Sequence, residues 1–170
     1  MAFPMKLLLK LPFVYPVCAF LSARRVLVRG HSMDPTLRPG EYVLFDRLAY
    51  NVAQPQRGDI VLVEDPTRSP ALLVKRVVAL PGDTVVLAGG CWINGVPWGG
   101  ALDAPVKPPE AEAQRLEKGR YVVVGDALDA STDSRHFGPV ERKRIKGRAW
   151  LVYWPRQRFR VIRNLAAEGP

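Results

Sequence analysis

The chain has 170 residues, of which 48% are hydrophobic and 24% charged, with a formal net charge of +9. That composition excludes a disordered or fibrous protein and suits one compact domain with a real core. The basic surplus points to acidic neighbours, with anionic lipid and nucleic acid as the two classes.

Residues 1–24 open the chain with an apolar stretch, Leu7 to Ala23, interrupted by Lys10, Pro12 and Pro16. Spanning a bilayer takes about 20 apolar residues, so this run is marginal and its prolines weaken it as a regular helix. It reads as a membrane anchor or interfacial segment, with Lys6 and Lys10 snorkelling at one end. A cleaved signal peptide fits less well, because no clear small-residue cleavage site precedes Arg24-Arg25.

From Arg25 to about residue 165 the signals are short strands and turns. Val26 and Val28 alternate with Leu27 and Arg29. Glu41 to Phe45 follows a Pro39-Gly40 turn, and Asp59 to Val63 follows Arg57-Gly58. Leu72 to Leu80 ends at Pro81-Gly82, and Thr84 to Leu87 ends at Gly89-Gly90. Cys91-Trp92-Ile93 runs into Asn94-Gly95, the strongest hairpin signal in the chain. Gly99 to Lys118 is rich in proline and alanine and reads as an irregular connection with room for one short helix. Tyr121 to Val124, Arg148 to Trp154 and Arg158 to Ile162 complete the strands, and residues 166–170 form a tail. Many short strands without a normal amphipathic helix predict an all-β, antiparallel, barrel-like domain.

Two residues carry the chemistry. Ser32 lies in Gly30-His31-Ser32-Met33-Asp34-Pro35-Thr36-Leu37, with no histidine or acid suitably placed for ordinary serine catalysis. Lys75 stands inside the apolar run Leu72-Leu73-Val74-Lys75-Arg76-Val77-Val78. Burial disfavours a charged amine, so such a lysine can lose its proton and act as a base. A serine with such a lysine is a complete nucleophile and base. A triad of Ser32, His136 and Asp133 would leave the lysine motif unexplained. Cys18 and Cys91 have no metal-site spacing and read as small apolar side chains, not as a disulfide. No cofactor is expected.

The serine segment, the segment Lys75-Arg76-Val77-Val78-Ala79-Leu80-Pro81-Gly82-Asp83, and the run from Gly125-Asp126 through Ser131-Thr132-Asp133-Ser134-Arg135 to Val140 together resemble the type I signal peptidases. The resemblance extends through Ile145-Lys146-Gly147-Arg148-Ala149 to Trp154-Pro155. It implies that Ser32 is the nucleophile, that Lys75 is the general base and that Ser131 orients the lysine. Asp133 and Arg135 would form a supporting ion pair, the Ser32 backbone N–H would be an oxyanion donor, and Met33 and Pro35 would meet substrate or membrane. The position two before the nucleophile is a serine in some members and Gly30 here, so that side-chain donor is absent. Ala79 and Ala127 also depart from the family pattern.

The implied substrate is an exported preprotein, bound as an extended strand and cut after small residues. The implied setting is the exoplasmic side of a bacterial-type cytoplasmic membrane, with lipid as a partner and no nucleic acid. A narrower alternative resembles the maturation proteases that trim a single nickel superoxide dismutase propeptide. An alternative from another class is the self-cleaving domain of a transcriptional regulator, although an apolar segment stands where a DNA-binding domain would be expected.

The basic C-terminal stretch from Arg142 to Arg163 reads either as a solvated face or as a contact for anionic headgroups.

Overall fold

The computed structural model describes residues 14–68, 70–88, 90–99 and 113–164. Most of the expected N-terminal anchor, the centre of the 99–118 connection and the tail therefore lie outside the described residues. The described part of the N-terminal segment forms helix α1, Val14–Ser22, with Pro16 inside it. Among the described residues no helix is long and apolar enough to cross a membrane.

The rest is built from strands β1 (Arg24–Leu27), β2 (Tyr42–Asp46), β3 (Ile60–Glu64), β4 (Leu72–Ala79), β5 (Thr84–Val86), β6 (Trp92–Ile93), β7 (Val96–Pro97), β8 (Gln114–Arg115), β9 (Arg120–Val124), β10 (Val140–Glu141), β11 (Ile145–Trp154) and β12 (Arg160–Val161). Two short helices, α2 (Ala49–Val52) and α3 (Ser134–Phe137), interrupt them. One sheet has the order β1-β2-β11-β3-β4-β9-β10, with β12 on β11, and a smaller one has the order β7-β6-β5-β8. Every described ladder is antiparallel. The all-β expectation holds.

Composition explains the elements locally. β4 reads Leu-Leu-Val-Lys-Arg-Val-Val-Ala, and its β-branched side chains suit a pleated, half-buried surface. Asn94 and Gly95 both take positive φ, 52° and 83°, as the tight turn joining β6 to β7 requires.

Three apolar clusters fill the interior. The first gathers Val28, Met33, Leu37, Val43, Phe45, Ile60, Leu62, Ala149 and Val152, with Val26, Leu72 and Val74 packed against it. The second lies on the other side of β3 and β4, around Val61, Val63, Val77 and Val123. The third, around Val78, Val85, Ile93 and Val122, joins the two sheets. The first cluster underlies the turn that carries Ser32.

Candidate active site

Ser32 sits in a tight turn between β1 and β2. The Asp34 N–H donates to the His31 carbonyl at 3.0 Å, and the Leu37 N–H donates to the Met33 carbonyl at 2.8 Å. His31 Nδ1 lies 2.7 Å from Asp34 Oδ2 across the turn. Leu37 and Met33 point inward, and Met33 is only 1% exposed within the first cluster. This corrects the expectation that Met33 meets substrate or membrane. The turn carries the side chain down into the cluster, where burial of a large apolar group is favoured. Pro35 stays on the surface.

Other elements hold this turn in place. Arg160 of β12 donates to the Thr36 carbonyl at 2.6 Å and to both oxygens of the buried Glu41, at 2.8 and 2.9 Å. Glu41 also accepts from the Arg38 N–H at 3.0 Å. The Ser32 carbonyl accepts from the Ala127 N–H at 3.1 Å, which fixes the serine against the loop after β9.

Lys75 lies on β4 opposite Val61 of β3. The ladder between β4 and β9 pairs Arg76 with Val124, so Lys75 faces the point where β9 gives way to Gly125. Gly125 is where the parts of the site meet. A Cβ at that position would collide with the Ser32 carbonyl and the Ser131 hydroxyl, so only glycine admits both.

Asp133 anchors the far side. It is fully buried, at 0% exposure, and accepts from the Ser131 hydroxyl at 2.6 Å and from the Gly125 N–H at 2.9 Å. Arg135 supplies its backbone N–H at 3.1 Å and two guanidinium contacts at 2.9 Å. Ser131, Asp133 and Arg135 thus form one network. His136 is exposed and gives Asp133 no side-chain hydrogen bond, so the Ser32, His136 and Asp133 triad is not assembled.

The electrostatics divide in two. Burial pushes the Asp133 carboxyl up, but hydrogen bonds from Arg135, Ser131 and Gly125 outweigh it and hold the group below the usual carboxylate range. Lys75 is 3% exposed and makes no hydrogen bond or ion pair among the described residues. Burial is the main reason its amine titrates below the ordinary lysine value. The negative charge of Asp133 opposes this and the Arg135 guanidinium assists it. Burial also pushes the nearby Cys91 thiol up to about 11, which keeps it neutral and unreactive. Both cysteines are free.

Sequence reading missed two parts. Arg76, 4% exposed, grips Asp126 through Nε and one terminal nitrogen, both at 2.7 Å, and reaches the Gly58 carbonyl at 2.9 Å and the Thr36 hydroxyl at 3.2 Å. It joins the lysine strand, the serine turn and the Gly125 loop. A second charge inside an apolar strand was the available signal, because a buried arginine needs a carboxylate. The clamp between Arg160 and Glu41 gave no local signal.

Gly125 is thus met by the Ser32 carbonyl and the Ser131 hydroxyl, the Asp133 network stands behind it, and the buried Lys75 lies on the neighbouring strand. The model of the family described as "Signal peptidase, peptidase S26" matches residues 4–154. The chain is 36% identical over 137 residues to the mitochondrial ATP-independent inner membrane protease subunit 1a of Arabidopsis thaliana, covering 80% of this chain and 73% of that one. It is 35% identical over 153 residues to a signal peptidase I of Bacillus licheniformis, covering 81% and 78% respectively. A solved signal peptidase I from Enterococcus faecalis V583 matches at 26% identity with a TM-score of 0.41, covering 56% of this chain and 97% of that chain. This chain belongs to the signal peptidase S26 family and is a serine peptidase. Membership favours the peptidase over the transcriptional regulator.

Proposed function

We propose that the chain is a membrane-associated Ser–Lys endopeptidase that removes signal peptides or propeptides from exported preproteins after small residues. The observation that carries this reading is the buried, partnerless Lys75, placed opposite the glycine that the Ser32 carbonyl and the Ser131 hydroxyl both touch.

In this mechanism neutral Lys75 takes the proton from Ser32 Oγ as that oxygen attacks the scissile carbonyl. The Ser32 N–H, which has no acceptor among the described residues, faces the developing oxyanion. Lys75 then protonates the leaving amine, and water hydrolyses the acyl group from Ser32. The Ser131 hydroxyl donates its hydrogen bond to Asp133, which leaves its oxygen lone pairs to accept from the lysine amine. That bond would orient the amine toward Ser32.

Substrate binding as an added strand fits the edge of β4. Leu72 to Lys75 pair with β3 on one side, while the β9 ladder begins only at Arg76. Val26, Leu72 and Val74 pack onto the cluster beneath that edge, and the preference for small side chains rests on the likeness to signal peptidases. The membrane setting is supported by the exposed Val17, Phe20 and Leu21 of α1 and by the inner membrane named for the Arabidopsis relative. The exoplasmic side follows from the substrate class.

The test is cleavage of a preprotein with an Ala-x-Ala junction in detergent by wild type, Ser32→Ala and Lys75→Ala. Wild type alone should cut at the junction. Cleavage by Lys75→Ala at the wild-type rate would remove the lysine from the mechanism.

A further inference from the structure

We propose that the cleft between the end of α1 and the start of β11 binds the phosphate ester of an anionic lipid headgroup. The cleft encloses about 800 Å³, within the range of ligand sites, and is lined by Arg24, Arg47, Tyr50, Glu64, Arg142 and Lys146 among others. It does not include Ser32 or Lys75, and the inference does not rest on the cleavage mechanism.

The charge count points to an anion. Four cations line the cleft against one carboxylate, and Lys146 already pairs with Glu64 at 2.8 Å. Three guanidinium groups remain. Other arginines of this chain meet carboxylates: Arg57 with Asp83, Arg76 with Asp126, Arg135 with Asp133 and Arg160 with Glu41. Arg24 and Arg47 have no acceptor among the described residues. Like charges gathered in one concavity repel each other, and a bound anion relieves that repulsion.

One member is held in advance. Arg142 donates to the Tyr50 carbonyl at 2.6 Å and the Ile145 carbonyl at 3.2 Å, and its guanidinium lies 5.0 Å from the centre of the Tyr50 ring. Its Nε–H is buried without an acceptor. Phosphate oxygens are acceptors that a guanidinium held in place fits well.

Position selects the headgroup over other anions. Ser22 at the end of α1 and Arg24 at the start of β1 both line the cleft, and the exposed Val17, Phe20 and Leu21 lie just before them. Apolar side chains next to cations match the boundary between acyl chains and phosphates. The cleft is also larger than a lone phosphate needs and has room for the glycerol to which a lipid phosphate is joined.

The test compares full-length Arg24→Gln/Arg47→Gln with Arg115→Gln/Lys118→Gln, an equal loss of charge at β8 and just beyond it. Binding is measured to phosphatidylcholine vesicles with and without phosphatidylglycerol. Binding that depends on phosphatidylglycerol should fall about thirtyfold in the first variant, roughly fivefold per charge, and far less in the second. Inorganic phosphate should not displace the protein from the vesicles. Melting temperatures measured with added inorganic phosphate separate the two sources. A phosphate-induced rise that only the Arg24/Arg47 variant loses, with no effect on vesicle binding, would overturn the lipid and assign the cleft to a soluble phosphate. Equal loss of vesicle binding in both variants, or loss in neither with no phosphate-induced rise that the Arg24/Arg47 variant loses, would overturn the site altogether.

Discussion

The two faces of β4 treat neighbouring cations in opposite ways. Lys75 and Arg76 are adjacent and almost equally buried, at 3% and 4% exposure. On one face Arg76 is saturated by Asp126, the Gly58 carbonyl and the Thr36 hydroxyl. On the other, Lys75 has no hydrogen bond or ion pair among the described residues, and burial draws its amine below the ordinary value. A paired buried charge holds a structure together, whereas an unpaired one is a cost the fold bears for another reason. One strand thus gives a brace and, in the proposed mechanism, a base, and the difference lies in where the carboxylates stand.

The largest expected effect comes from Lys75→Met, which keeps a long, flexible side chain but cannot accept a proton. Activity should fall by about 10²–10⁴, as for loss of a general base. Stability should rise. Lys75 titrates lower in the fold than unfolded, so between its folded value and the unfolded ~10.4 the folded state binds fewer protons. Wild-type stability therefore climbs with pH across that window, and the cost of burying the amine is complete below it. Melting curves should show Lys75→Met above wild type at neutral pH and converging with it as pH nears the unfolded value. A lower melting temperature at neutral pH would mean that the amine has a stabilising partner.

Arg76→Met should do the reverse. It strands Asp126 beside Gly125 and costs roughly 3–5 kcal/mol of stability, the usual penalty for breaking a buried pair. Denaturant titration measures this directly. If Arg76→Met is as stable as wild type while Lys75→Met is not, the contrast between the two faces fails.

Gly125→Ala tests the junction between them. The added Cβ would meet the Ser131 side chain and the Ser32 carbonyl, and backbone must move to admit it. Overpacking of this kind costs about 1–3 kcal/mol. Cleavage should suffer more than stability, because the displaced atoms include the residue that carries the nucleophile. Equal kcat in the alanine variant would show that the serine turn tolerates the shift.

Much of this was legible along the chain. The strands from Glu41, Asp59, Leu72, Thr84, Cys91 and Tyr121 appear near their expected places, because β-branched runs bounded by glycine and proline are local signals. Asn94-Gly95 turns the hairpin as its dipeptide requires. Ser32, Ser131, Asp133 and Arg135 are brought around Gly125 as short motifs in chain order. What local pattern could not supply was partnership at long range. Arg76 finds Asp126 at 50 positions' separation, and Arg160 finds Glu41 at 119. Met33 lies in the core because the turn closes over the first cluster, which the resemblance of the short motif does not show by itself.

The smallest expected effect is that of Ser131→Ala, and it separates bracing from positioning. Asp133 loses one of its donors, at a cost of roughly 1.5–3 kcal/mol at most for a bond to a charged group. Arg135 and the Gly125 N–H still hold the carboxyl below its ordinary value. The stability that Asp133 contributes above the unfolded ~3.9 should therefore persist, and its loss on acidification should begin only slightly earlier. If Ser131 only braces Asp133, the melting temperature falls and the pH profile of kcat stays where it was. In the proposed mechanism Ser131 also accepts from the lysine amine. Removing that acceptor disfavours the ammonium form, so the acidic limb of the kcat profile should move to lower pH while its maximum drops by about tenfold. A limb that does not move would confine Ser131 to the Asp133 network and leave Lys75 to be oriented by its strand alone.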